Sequence, residues 1–208
     1  MVAGWAPGSD SNDLPNDVGM DVSLKNRKVL VEMHFYHDGI SAPLATTSGV
    51  KVCTANKPRA NTARISLLGT EVISVPAHAK GSSVGTCTPQ FNGEIHVLRS
   101  WPHMHQLGTG LKTEVMFADG KQMMLGPWPF DFNSQVSYAT PFTLRPGDRL
   151  ITTCEYHNTT NATVTTGTST TAEMCFNCVT AYTAGALQSK NLFGGSTSAT
   201  SSATACLQ

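Results

Sequence analysis

The segment Pro102-His103-Met104-His105 places two histidines two residues apart. In a β-strand, residues i and i+2 face the same side, so both imidazoles can reach one metal while Met104 faces the other side. Neutral imidazoles suit copper, zinc, iron or nickel, and an added thioether ligand selects for Cu(I). A third ligand would have to come from another strand. The spacing fits equally well with two hydrogen-bonded, half-buried histidines, so the pair alone does not define a metal site.

The elements that must position these histidines are strands. Short apolar or alternating runs rich in β-branched residues are separated by turn signals such as Ala118-Asp119-Gly120-Lys121 and Arg145-Pro146-Gly147-Asp148. No segment has a sustained helical period with caps. This pattern predicts an all-β fold, an antiparallel β-sandwich or jelly roll. The predicted strands are 29–36, 63–68, 71–75, 94–101, 112–117, 149–156 and 174–182.

Composition excludes some functions. The chain has 208 residues, which suits one large all-β domain or two small ones, and only 13% of its residues are charged. The 14 basic and 14 acidic residues balance, so no basic surplus favours nucleic acid. No apolar run approaches the roughly 18 residues of a membrane-spanning helix.

The cysteines indicate an oxidising compartment. An even number of cysteines in a low-charge, Thr-rich chain predicts up to three disulfides and a secreted or periplasmic protein. The alternative is a metal thiolate site at the CxxC of residues 175–178, but no second CxxC or nearby histidine completes one. The six cysteines are Cys53, Cys87, Cys154, Cys175, Cys178 and Cys206.

The motif PHMHQLG (102–108), followed by a Thr-rich segment that ends in EMCFN (173–177), resembles the copper type II, ascorbate-dependent monooxygenases. The resemblance is to the carboxy-terminal catalytic domain of the peptidylglycine and dopamine monooxygenases. The sequence resembles bacterial members of the family more than the animal enzymes. It covers most of residues 4–182 in matching order. The other matching stretches are GWAPG (4–8), VEMHFYH (31–37), TSGVKVC (47–53), GEIHVLRSW (93–101) and LRPGDRLITTCEYHN (144–158).

The resemblance implies a function and a ligand set. His103, His105 and Met174 occupy the family's ligand positions for the oxygen-binding copper; without the resemblance, Met174 would be read as a core residue. The chain would then be the oxygen-activating half of an enzyme that hydroxylates a substrate C–H bond. Copper would be its cofactor, and O2 and an ascorbate-type reductant would be consumed.

The resemblance also implies a second copper, the electron-transfer one. His34 matches its third ligand, and the other two ligands are an adjacent His-His pair from an amino-terminal domain. Otherwise His34 would be a redundant remnant of that site or an ordinary strand histidine. None of the seven histidines here is adjacent to another, so that site cannot be complete within this chain. The predicted organisation is a linker from a missing amino-terminal domain (1–20), a catalytic β-sandwich (21–185) and a Ser/Thr/Gly-rich tail (186–208).

The family pattern also pairs cysteines. It implies a Cys154–Cys175 disulfide that fixes the strand carrying Met174, and a second bridge in which Cys206 is the natural mate of Cys87. Cys53 and Cys178 remain, and a third disulfide would join them.

Departures from the family bear on the substrate. Trp101, Phe176 and Cys178 stand where the peptide-amidating enzyme has polar contacts to a carboxylate, which implies a small apolar or aromatic substrate. Arg99 shares the face of His103 and would lie at the pocket rim or be exposed. The aromatic stretch 127–133 would be a loop over the pocket or core packing.

Three other functions stay open at this level. The chain would be a non-catalytic copper-binding secreted domain, a disulfide-stapled structural sandwich, or a zinc hydrolase with Glu173 as its base. In all of them His37, His78 and His157 would be surface or structural residues, and His96 a satisfied core histidine or a hydrogen-bonding support.

Overall fold

A computed structural model describes residues 3–10, 13–20, 28, 30, 31, 33, 45, 47–89, 91 and 93–183, and the backbone of 206–207. These residues form strands and turns without a helix, and so the described chain contains no helix that could cross a membrane. The strands are β1 (Val18–Met20), β2 (Asn61–Gly69), β3 (Ser74–Val75), β4 (Lys80–Cys87), β5 (Ile95–His103), β6 (Gly108–Met116), β7 (Gln122–Pro129), β8 (Tyr138–Leu144), β9 (Arg149–His157), β10 (Val164–Thr165), β11 (Phe176–Thr183) and β12 (Cys206–Leu207).

Two main sheets confirm the predicted all-β sandwich. The first sheet has the order β1-β2-β11-β5-β8, with β12 also paired to β2. The second has the order β4-β9-β6-β7, and β3 and β10 form a short separate pair. Neighbouring strands are antiparallel except for β1 and β2, which run parallel. The strand that ends in His103 therefore lies in the interior of the first sheet, between β11 and β8.

Alternation along these strands creates two apolar layers. Leu68, Val97 and Val179 face the second sheet and join the main core between the sheets. Their strand neighbours face the opposite way, where Ile65 and Cys178 form a separate cluster on the outer face of the first sheet. Trp101 and Met174 pack against this cluster. The residues predicted to line the substrate pocket thus share the outer face.

Most predicted strands are confirmed, but six of the described strands are absent from the prediction: the short β1, β10 and β12 and the longer β4, β7 and β8. β4 (KGSSVGTC), β7 (QMMLGPWP) and β8 (YATPFTL) contain Gly, Ser or Pro, residues that weaken a strand signal. The turn at 145–148 is confirmed, and the Asp148 carboxylate fixes it by accepting the Arg145 and Ala118 N–H groups at 2.7 and 2.8 Å. The predicted strand 29–36 and the predicted tail 186–208 fall almost entirely outside the described residues.

The predicted Cys154–Cys175 disulfide is confirmed, with its Cα atoms 5.7 Å apart. Cys87 is also disulfide-bonded, and the pairing with Cys206 stays a prediction. The predicted third bridge is wrong, because Cys53 is an exposed free thiol and Cys178 is a buried one in the apolar cluster of the outer face.

The two free cysteines should differ sharply in reactivity. Burial raises the pKa of Cys178 to about 12, so little of its thiolate exists at pH 8. We expect an aromatic disulfide reagent to titrate one thiol per native chain, Cys53, and two after denaturation without reductant. Cys53→Ser should remove the native signal and leave the denatured one at one thiol. A native count of two would mean that Cys178 is accessible.

Candidate metal centre

The candidate centre lies where the end of β5 meets the segment that leads into β11. His103 is the last residue of β5 and pairs in register with Phe176, the first residue of β11. His105 follows two residues later, and its side chain reaches Ala172 in the segment before β11. Met104 is fully buried in a different cluster with the Cys154–Cys175 disulfide, as predicted for a residue that faces away from the two histidines.

Hydrogen bonds fix the tautomer of both imidazoles. His105 Nδ1 lies 3.0 Å from the Ala172 carbonyl oxygen, which can only accept, so Nδ1 carries the proton. His103 Nδ1 lies 2.8 Å from Gln135 Oε1, and Gln135 Nε2 donates to the Phe132 carbonyl at 3.1 Å, which orients the amide with its oxygen toward His103. In their neutral form both rings therefore carry the free lone pair on Nε2, and the ring centroids are 5.6 Å apart. Two imidazole nitrogens with free lone pairs are the ligand type that a transition metal requires.

Burial favours the neutral, metal-binding form of His103. His105 is only 4% exposed. For His103, burial is the main cause that lowers the pKa, the neighbouring His105 lowers it further, and the Gln135 hydrogen bond opposes both. The ring edge of Phe132 also packs against His105, with centroids 6.2 Å apart. The loop at residues 130–135 thus contacts both histidines. It overlaps the stretch 127–133, which the sequence predicts as a loop over the pocket or as core packing, but residues 127–129 of that stretch belong to β7.

Glu173 has a role at this centre that sequence reasoning missed. Its side chain is fully buried, and its Oε2 accepts the His105 and Met174 N–H groups at 3.0 and 3.3 Å. Oε1 accepts the Leu107 N–H at 2.7 Å. One carboxylate therefore ties the main chain of the histidine segment to that of the methionine segment. Both of its oxygens are engaged, which removes it as the free general base of a zinc hydrolase.

The main chain of Met174 is held from several sides. Its carbonyl accepts the Tyr156 hydroxyl at 3.2 Å, and the next residue, Cys175, is bridged to Cys154. The Cys175 carbonyl also accepts the Thr70 N–H at 3.0 Å, and it lies so close to Gly69 that no Cβ fits there. Met174 is half-buried, and its side chain packs on the outer-face cluster.

The predicted substrate residues also lie together. Arg99, Trp101 and Cys178 line one small cavity on the outer face, and Phe176 belongs to the same apolar cluster. Arg99 is not free in this cavity, because its guanidinium pairs with Asp10 at 3.3 Å and donates to Ser137 Oγ at 3.0 Å. The cavity is therefore lined by both apolar and polar residues, and its cation is already paired with the Asp10 carboxylate, which also lines it.

The other described histidines lie elsewhere. His96 is half-buried, bonds Thr143 Oγ1 at 3.1 Å and packs on Tyr182. His78 and His157 are exposed. His34 and His37 lie outside the described residues. Within the described part of the chain, no three His, Cys, Asp or Glu residues group together as metal ligands. A thioether beside two imidazoles is a donor set that fits Cu(I).

Comparison with known proteins identifies the family of the chain. The profile of the copper type II ascorbate-dependent monooxygenase C-terminal domain matches residues 60–198. The chain belongs to this family, and membership implies copper as the metal and ascorbate as the reductant.

Named relatives align with most of the chain. The tyramine beta-hydroxylase of Caenorhabditis briggsae is 29% identical over 206 residues, covering 88% of this chain and 34% of the relative. The human DBH-like monooxygenase protein 1 is 30% identical, with 88% and 33% covered. The human dopamine beta-hydroxylase is 26% identical, with 88% and 32% covered. The chain thus spans about a third of the length of these relatives.

Proposed function

We propose that this chain is the oxygen-activating half of a copper monooxygenase that hydroxylates a C–H bond of a small apolar or aromatic molecule. The observation that carries the proposal is the pair of imidazoles locked with Nδ1 protonated and Nε2 free. We assign His103 and His105 as the imidazole ligands and Met174 as the thioether ligand. When bound there, copper supplies the oxygen and electron chemistry, and the protein supplies geometry and a dry site.

The protein's own contribution is rigidity around the ligands. Gln135 and the Ala172 carbonyl orient the two rings, and Glu173 holds the two ligand-bearing segments together. Such support around metal ligands fixes ring orientation and raises affinity. The Cys154–Cys175 bridge anchors the chain directly after Met174.

We assign His34 to a second copper whose remaining ligands would be a His-His pair on an amino-terminal domain. The proposal is supported by the short coverage of the relatives, about a third of their length. A secreted or periplasmic location follows from the disulfides, since such bonds persist in oxidising compartments.

The cavity on the outer face supports the substrate assignment. Trp101, Phe176 and Cys178 offer no charged group, and Arg99 is already paired with Asp10. A buried carboxylate without a charge-assisted partner is costly, which disfavours a glycine-extended peptide.

We expect a protein that also contains the proposed amino-terminal domain to hydroxylate 4-ethylphenol or tyramine in the presence of copper, ascorbate and O2. The same protein should leave a peptide ending in glycine unreacted. Tyramine is chosen because one relative is named for it. Product is measured by mass spectrometry with labelled O2, and His105→Ala is the inactive control. Turnover of the peptide alone would contradict the substrate class. Copper uptake without any turnover would favour the alternative, a non-catalytic copper-binding domain.

A further inference from the structure

A short turn near the amino terminus is closed on itself. Ser9 N–H donates to the Ala6 carbonyl at 3.0 Å, while Ser9 Oγ accepts the Ala6 N–H at 3.0 Å and donates to the Ala6 carbonyl at 2.7 Å. Pro7 and Gly8 occupy the central positions, and Gly8 has a φ of 83°. This sequence and this φ are typical of a type II turn, which requires a left-handed residue at the third position. We name residues Ala6–Ser9 the N-terminal turn.

The N-terminal turn is docked on the loop that precedes β8. Its Pro7 carbonyl accepts the Gln135 N–H at 2.7 Å. A Cβ on Gly8 would lie 2.6 Å from Ser134 Cα, so the two backbones are in direct contact. Ala6 is 7% exposed, and Asp10, just after the turn, forms the ion pair with Arg99.

Gln135 links the N-terminal turn to the metal centre. The residue is 2% exposed. Its N–H is held by the N-terminal turn, its Oε1 accepts from His103 and its carbonyl accepts the Trp101 Nε1–H at 3.1 Å. Displacing the backbone of Gln135 would therefore disturb a proposed copper ligand and a wall of the substrate cavity together.

We propose that the N-terminal turn is a positioning element for His103. By clamping the main chain of Gln135, it keeps the Gln135 amide oxygen in line with His103 Nδ1 and so keeps Nε2 free for the metal. Chain upstream of residue 6 would then act on the centre through this turn. The inference rests on the proposed function only where Cu(I) affinity is measured, because the hydrogen bonds from Pro7 to Gln135 and from Gln135 to His103 are present without a metal.

The decisive comparison uses two glycines with similar backbones. Gly8→Ala forces the turn off Ser134, whereas Gly120, with φ 87°, has open space where its Cβ would be, so Gly120→Ala adds similar backbone strain without a contact. In the metal-free, full 208-residue chain we measure the imidazole ¹⁵N shifts of His103 and the hydrogen exchange of the Gln135 amide. Cu(I) affinity is measured by competition with a chromophoric chelator.

We expect Gly8→Ala to move His103 from the Nδ1–H tautomer toward the mixture of a free imidazole. Exchange of the Gln135 amide should be about tenfold faster, and Cu(I) binding about tenfold weaker. Gly120→Ala should change none of these. Should Gly8→Ala fail to fold, Ser9→Ala opens the turn more gently and should shift the same signals in the same direction.

Equal His103 shifts and Gln135 exchange in the wild type and the folded turn variant would overturn the inference, whatever the copper result. Loss of the His103 Nδ1–H tautomer in Gly8→Ala, together with a wild type that takes up no Cu(I), would support the role of the N-terminal turn while refuting the proposed function. The metal-free and metal readouts thus separate the two failures.

Discussion

Replacing His105 by alanine is expected to lower the affinity of the chain for Cu(I) by more than a hundredfold. Loss of a partner that only orients a ligand costs roughly 10–100-fold in metal affinity, and loss of the ligand itself should cost more. The substitution also removes the bond to the Ala172 carbonyl, but the main-chain N–H still donates to Glu173. The fold should therefore persist, and the defect should appear in Cu(I) competition titrations.

His96 provides the matched control for this loss. It lies on the same strand as His103, is half-buried and bonds a threonine hydroxyl, but it has no contact with the metal centre. His96→Ala should bind Cu(I) as the wild type does. An unchanged affinity in His105→Ala, or an equal loss in His96→Ala, would contradict the assignment of ligands.

Replacing Glu173 by alanine is expected to cause the largest loss of stability, about 3–5 kcal/mol. Three N–H groups, those of His105, Leu107 and Met174, lose their acceptor at a buried position. Each hydrogen bond to a charged group contributes about 1.5–3 kcal/mol, and the burial that raises the pKa of Glu173 offsets part of this sum. For a chain of this size, the loss corresponds to a fall in Tm of roughly 6–20 °C.

Two further variants make the Glu173 prediction specific. Glu71→Ala removes an exposed carboxylate and should leave the Tm within about 1 °C, since surface changes stay near 0.5 kcal/mol. Glu173→Gln keeps one acceptor but turns an N–H donor toward the others, so its Tm should lie between those of the alanine variant and the wild type. A Tm for Glu173→Ala within 2 °C of the wild type, measured by calorimetry, would show that the three bonds do not matter.

The interior of the fold was readable from the sequence because buried strands carry strong patterns. β2, β5, β9 and β11 combine β-branched and apolar residues and were predicted near their observed bounds. β4, β7 and β8 were not predicted, since their Gly, Ser and Pro residues weaken the strand signal. The burial of these three strands depends on partners far along the chain.

The centre was predictable only in part. Strand parity placed the two histidines opposite Met104, and the structure confirms that Met104 belongs to a different cluster. Gln135 could not be found from sequence, because it lies 32 residues from His103 and glutamine has no preferred role. Glu173 carried a usable signal: a lone carboxylate directly beside Met174 and Cys175, both of buried character, suggests a buried acceptor.

The most direct test of the copper assignment is X-ray absorption at the copper edge on the Cu(I)-loaded chain, combined with the copper content per chain. We predict one copper per chain, with two imidazole nitrogens and one sulfur as ligands, and loss of the sulfur scatterer in Met174→Leu. A wild-type spectrum without sulfur, or one that Met174→Leu leaves unchanged, would contradict the ligand set. Two copper ions per chain would contradict the assignment of His34 to a site that another domain completes.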